Sequence, residues 1–288
     1  MEHRVADRES VSVYREFAPC RELRDHVRVL AWYGPAGEYS EAARWRTPLR
    51  EFFLGLDGPL APTFADAQTS LLFPLGVVLG ANGWHSCSPG HATAMGAVTR
   101  ATQPAAARSA MIGVYLRPRG CAALLGASAR ELSDRIAPLS DLWKDVTFGA
   151  DRPSFEAVEA LLVRRLRAAS PPARALHIAE LASHVRRSAG GVSVTEMADL
   201  AGVSRQHLGR LFLEYVGVSP KSYARLARFR AVLRHLTTRE RSSGWSGLAA
   251  DLGYADQSHL IAEFREFTSF TPEELVRGDH FHPFIGDD

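Results

Sequence analysis

Residues 198–220 read ADLAGVSRQHLGRLFLEYVGVSP and residues 250–272 read ADLGYADQSHLIAEFREFTSFTP. At an offset of 52 they share Ala198/Ala250, Asp199/Asp251, Leu200/Leu252, His207/His259, Leu208/Leu260, Phe212/Phe264, Glu214/Glu266 and Pro220/Pro272, eight identities in 23 positions. Tyr215/Phe267 and Ser219/Thr271 are near matches. A segment repeated at a fixed offset is one supersecondary unit used twice.

Each copy predicts a short helix, a turn, a longer helix and a stop. Ser193 and Glu196 (SVTE) have capping-box spacing and start the first helix. Ala201-Gly202-Val203 breaks it, and Ser204 is placed to cap the next. Leu208, Phe212 and Tyr215 then fall at i, i+4 and i+7 on one face, with Arg205, Gln206, Gly209 and Arg210 on the other. In the second copy Asp256 caps, Leu260, Phe264 and Phe267 face in, and Gln257, Ser258, Ile261 and Ala262 face out. Two helices joined by a tight small-residue turn, the second with a polar outer face, form a helix-turn-helix. Between the copies, Ser219-Pro220 starts a helix with Pro at its first position, running to about Thr237. Thr271-Pro272-Glu273-Glu274 closes the region with a further capping box.

At this point the chain resembles a known family. G-V-S-x-x-x-L-x-R-x-F, a long helix, then L-G-Y-x-D-Q-S-H-L and F-x-x-F-T-x-x-T-P look like the DNA-binding domain of AraC-type (AraC/XylS) transcriptional regulators, over residues 174–280. The resemblance implies an all-α domain of two helix-turn-helix units joined by a long helix, with recognition helices at about 204–216 and 256–267. Its partner would be double-stranded DNA.

A net charge of +2 conceals an asymmetry. Residues 181–241 hold 11 Lys/Arg against 4 Asp/Glu, whereas residues 242–288 hold 2 against 9, giving +7 and −7. The positive field that attracts phosphates therefore belongs to the first unit and the helix after it. On the first recognition helix, Arg205, Gln206 and Arg210 are the candidate base readers, because Arg suits guanine O6/N7 and Gln suits adenine N6/N7. Gly209 either admits close backbone approach to the groove or is neutral. Ser204, His207, Lys221, Arg225, Arg228, His259 and Arg265 are the candidate phosphate contacts, which set register rather than sequence. On the second helix Gln257 and Ser258 can read bases, and Ile261 and Ala262 can touch thymine methyls. Fewer polar readers and the negative balance predict a weaker contribution from this unit, which would face RNA polymerase instead.

The rest of the chain predicts an α+β protein whose first domain, residues 1–150, is rich in β structure. Apolar clusters at Val27–Trp32, Phe52–Leu56, Leu71–Leu79 and Met111–Leu116 sit between Gly/Pro breaks and predict strands. Ser128 and Glu131 (SARE) form a capping box that predicts a helix through Leu132 and Ile136. YREFAPCRELRDHV, MGAVTR and GVYLRPRGCAALLGASARELSDRIAPLSDLW resemble the β-rich domain that precedes many AraC-type DNA-binding domains. That implies a cupin-like sensor or dimerisation domain with flanking helices, hence a possible small-molecule effector and a possible homodimer.

Residues 151–173 make an amphipathic helix and a linker. Phe155, Val158, Leu162 and Leu166 form its stripe, available to the domain's own core or to a dimer partner, and Ser170-Pro171-Pro172 ends it. Residues 281–288 form a tail.

The only tight group of potential metal ligands is His85, Cys87 and His91 (WHSCSPGH). Neither G-x-S-x-G nor a phosphate-cradling glycine loop occurs, so we expect no catalytic residue, metal or cofactor. The alternative is an enzymatic or metal-dependent, DNA-repair-like first domain using Cys87. Cys121, beside Arg117 and Arg119, is either a redox-active thiol or a structural one. Trp32, Trp45 and Trp84 either line a pocket or fill a core. The N-terminal residues lack the apolar core of a signal peptide and no apolar run reaches membrane-spanning length. Both predict a cytoplasmic, nucleoid-associated protein without membrane contact.

Overall fold

The computed structural model describes residues 11–35, 50–55, 70–74, 92–99, 111–126, 128–144, 154–238 and 244–277. His85, Cys87, His91, Trp45, Trp84 and the 281–288 tail lie outside them. The protein is α+β, with a sheet in its first part and helices throughout its second.

The strands are β1 (Val11–Phe17), β2 (Val27–Pro35), β3 (Arg50–Gly55), β4 (Ser70–Pro74), β5 (Thr93–Met95), β6 (Met111–Leu116) and β7 (Ile136–Pro138). They form one antiparallel sheet in the order β3-β1-β2-β6-β4-β5-β7. The four apolar clusters of the sequence thus fall on β2, β3, β4 and β6, although β4 ends at Pro74. On β6 the alternate residues Ile112, Val114 and Leu116 are buried, and Leu30 and Trp32 of β2 join them. Trp32 therefore fills the core.

Helix α1 (Pro118–Leu124) follows β6, then a 3-10 turn (Ala129–Leu132), the short helix α2 (Leu139–Leu142) and helix α3 (Phe155–Ala168). Ser154 caps α3, and its apolar stripe completes the core of this domain rather than facing outward. The Phe155 ring meets Phe17 edge-on at 5.0 Å, and Phe155, Val158 and Leu162 are fully buried. Baring each for a partner would cost about 1.5–3 kcal/mol. Polar contacts hold the same helix: buried Glu159 accepts the Cys20 N–H at 2.7 Å, and Arg167 pairs with Glu22 at 2.9 Å.

Residues 128–136 depart from the sequence expectation. No helix runs to Ile136, which lies in β7, and Ser128 makes no cap. Asp134 takes a left-handed conformation (φ 53°), and its carboxylate accepts from the Thr99 N–H at 2.6 Å and the Thr99 hydroxyl at 2.7 Å. Those bonds turn the chain beside β5 after a single 3-10 turn.

The helical part comprises α4 (Ala173–Arg187), α5 (Val194–Leu200), α6 (Arg205–Tyr215), α7 (Pro220–Thr238), α8 (Gly244–Asp251), α9 (Gln257–Thr268) and α10 (Pro272–Arg277). It has two cores. α4 supplies Ile178, Leu181, Ala182 and Val185 to the first, with Met197 and Ala198 of α5 and Leu208 and Phe212 of α6. Leu176 is half-buried, because the inward face of α4 is built around Ile178. The second core joins Leu248 of α8, Leu260, Phe264 and Phe267 of α9 and Leu275 of α10. Helix α7 serves both, giving Tyr223, Ala224 and Ala227 to the first and Leu226, Phe229, Val232 and Leu233 to the second. Its two apolar faces hang one unit on each side of a single rod.

Candidate nucleic-acid interface

The caps set the entry of each helix. Ser193 and Glu196 form the full capping box: the Glu196 N–H donates to Ser193 Oγ at 3.2 Å, and Glu196 Oε2 accepts the Ser193 N–H at 2.8 Å. These bonds hold the Glu196 carboxyl below its ordinary pKa. Gly202 (φ 63°) provides the left-handed turn that ends α5. The Ser204 hydroxyl then accepts the His207 N–H at 3.2 Å and starts α6. In the second unit Asp256 accepts the His259 N–H at 2.7 Å, and Gly253 (φ 72°) makes the turn. Thr271 and Glu274 form the last box, with bonds of 2.6 and 3.1 Å.

Arg205, Gln206 and Arg210 are exposed together on α6, and Ser204 is exposed at its start. A Cβ built on Gly209 would meet no protein atom within 4 Å, so packing does not demand glycine there. His207 is half-buried beside them and Lys221 is exposed at the start of α7.

On α9, Ser258 and Ala262 are exposed, but Ile261 is half-buried against the second core. The Gln257 side-chain oxygen accepts the Ser246 hydroxyl at 3.0 Å, which ties α9 to α8. A bidentate contact to adenine needs that oxygen as well as the amide N–H. His259 Nδ1 accepts the Ala255 N–H at 3.3 Å and its ring meets Tyr254 edge-on, so this histidine stabilises the turn before α9. Arg265 is exposed.

Arg225 occupies a different place from the phosphate contact expected of it. Its Nε donates to Glu263 Oε2 at 2.7 Å, its Nη2 donates to Glu266 Oε2 at 2.5 Å, and its guanidinium lies 4.9 Å from the Phe267 ring centre. The two carboxylates raise its pKa further. Glu263 is 4 % exposed. Tyr254 stands beside it, its hydroxyl pKa raised by burial and then by the Glu263 charge. The Arg228 guanidinium lies 5.1 Å from the Tyr254 ring centre. These side chains form a polar lock between α7 and α9. The sequence carried one sign of it: the repeat sets Glu263 against Leu211, a buried position in the first unit.

The lock and the caps also explain much of the acidic balance. Of the 9 acids in residues 242–288, Glu263 and Glu266 hold Arg225, Asp256 and Glu274 cap helices, and Glu273 pairs with Arg277 at 3.6 Å. More than half thus have structural work within the unit.

The first unit is docked on the N-terminal domain. α1 packs on α4, where Arg119 pairs with Glu180 at 3.0 Å. The 3-10 turn packs on α6: the Ser128 hydroxyl reaches Glu214 at 3.4 Å and the Ser133 hydroxyl donates to the Gly217 carbonyl. Gly217 (φ 92°) permits this approach, since a Cβ there would come within 2.6 Å of Ser133 Oγ and 2.9 Å of the Ala129 carbonyl oxygen. Gly217→Val should therefore lower stability by about 2–4 kcal/mol, from backbone strain and the lost contact. Urea unfolding of the full chain measures this, and a loss below about 0.5 kcal/mol would show that the contact is not formed.

Among the described residues no group of three or more His, Cys, Asp or Glu is placed to hold a metal, and no helix is long and apolar enough to cross a membrane. Cys121 is half-buried at the edge of the N-terminal core.

Two capped helix-turn-helix units on one helix define a DNA-binding domain of the transcription-regulator class. Residues 197–278 match the family described as "Helix-turn-helix domain", and they are a domain of the AraC type. The chain is similar to an AraC-type DNA-binding domain-containing transcriptional regulator of Chromobacterium violaceum, at 26 % identity over 36 % of this chain and 91 % of that one, TM-score 0.32. It is also similar to ToxT of Vibrio cholerae O395, at 10 % identity over 93 % and 97 % of the two chains, TM-score 0.43. ToxT of Vibrio cholerae SCE256 with bound unsaturated fatty acid gives 12 % identity over 76 % and 89 %, TM-score 0.41. No curated protein matches the chain.

Proposed function

We propose that the protein is a sequence-specific transcriptional regulator that lays α6 and α9 in two successive major grooves. One observation carries this reading: a single 19-residue helix, α7, bears the two units on its two apolar faces. At 1.5 Å per residue that rod is roughly 28 Å long, close to the ~34 Å of one DNA turn. Arg205, Gln206 and Arg210 read bases in the first groove, with Gly209 at the contact, while Ser258 and Ala262 supply the weaker second reading. Ser204, His207, Lys221 and Arg265 face phosphates. Arg225, Arg228 and His259 hold the second unit together instead.

The N-terminal domain regulates this binding through its contact with α6, in response to a small molecule or through dimerisation. A dimer would use a surface other than the α3 stripe. RNA polymerase contact falls to the exposed side of the second unit. Hydroxyl-radical footprinting of the full chain on its target should give two protected patches on one face of the duplex, about 10 base pairs apart. A single patch would contradict the tandem reading.

A further inference from the structure

Ser246, on α8, holds a side chain at the start of the second recognition helix. Gln257 is the first residue of α9, and the leading residues of such a helix are those that meet base edges. Gln257 is half-buried, and its Oε1 accepts the hydroxyl of the exposed Ser246 at 3.0 Å. The bond engages the amide's acceptor and leaves Nε2 with its two N–H donors. A free glutamine offers a donor and an acceptor side by side, the pair that adenine N7 and N6 match. A glutamine whose acceptor is engaged offers donors alone. Guanine presents two acceptors in the major groove, N7 and O6, whereas adenine N6 sets N–H against N–H.

The corresponding pair in the first unit cannot make this bond. The repeat sets Val194 against Ser246 and Arg205 against Gln257. Val194 packs on the first core and has no hydroxyl, and Arg205 is exposed. The tie between Ser246 and Gln257 is therefore a property of the second unit, added to the helix-turn-helix geometry that both units share.

We infer that Ser246 is a positioning residue that sets the base preference of the second unit, turning Gln257 from an adenine reader into a donor-only reader of guanine. The inference rests on the two-groove reading above and adds Gln257 to the base contacts of α9.

The test uses the full-length protein and the duplex it selects from random DNA, with binding measured by fluorescence anisotropy at one salt concentration. Four duplexes differ only at the base pair of the second box whose identity ceases to matter in Gln257→Ala. The native chain should bind guanine there roughly fivefold more tightly than adenine, the worth of one net hydrogen bond. Ser246→Ala should level or reverse that preference, while Ser246→Thr, which keeps the hydroxyl, should retain it. On the Gln257→Ala background, Ser246→Ala should change nothing. Because Ser246 is exposed, both of its variants should unfold at the native midpoint. An adenine preference in the native chain would overturn the inference. So would an equal loss on all four duplexes in Ser246→Ala, the mark of a phosphate contact or a structural role. A second box indifferent to Gln257→Ala at every position would overturn it as well. In those three cases a selected motif of two boxes leaves the regulator reading standing. A chain that selects no motif removes that reading, and the inference with it.

Discussion

Arg225→Ala is expected to lower stability by about 2–3 kcal/mol and to loosen α9 more than α6. Breaking a buried ion pair costs about 3–5 kcal/mol because one charge is left uncompensated. Glu263 is that charge, with its side chain 3 % exposed, but the Arg225 side chain is 30 % exposed and water can take up part of the loss. Glu263→Leu in the same chain should restore most of the stability, since Leu211 fills the corresponding buried place in the first unit. Denaturant unfolding of the two single variants and the double variant measures the coupling directly. Equal stability of Arg225→Ala and the native chain would remove the lock. In DNA binding the variant should lose protection over the second half-site first, whereas loss of a phosphate contact would weaken binding to all sequences alike.

Arg210→Ala should weaken specific DNA binding at least tenfold, within the ~1–3 kcal/mol that a bidentate base contact provides. Arg210 is exposed on the basic unit and stands with Arg205 and Gln206. Gln257→Ala should cost less, because its side-chain oxygen is already engaged by Ser246. Fluorescence anisotropy on one duplex, at one fixed salt concentration, compares them fairly. Equal losses from the two substitutions would contradict the unequal division between the units.

What the sequence made legible was local. Ser193/Glu196, Ser204, Asp256 and Thr271/Glu274 cap the helices their spacing predicts, and the inward residues Leu208, Phe212, Leu260, Phe264 and Phe267 are buried. Caps and helical faces depend on neighbours within four residues, so the order of residues carries them. What local order leaves open is settled at long range. Ser128 has the spacing of a cap, but Glu214 is its partner, 86 residues away. Arg225 has the character of a phosphate contact, yet Glu263, 38 residues on, takes it. The α3 stripe suits a core or a dimer equally, and Phe17 against Phe155 places it in the core. A side chain able to serve two partners shows no preference until the fold brings one of them close.

Selection of binding sequences from random duplex DNA with the full-length protein decides whether one chain reads two half-sites through α6 and α9. One motif with two boxes about 10 base pairs apart is expected, the stronger of which is lost in Arg210→Ala. Selection of a single box, or of no motif, would contradict it.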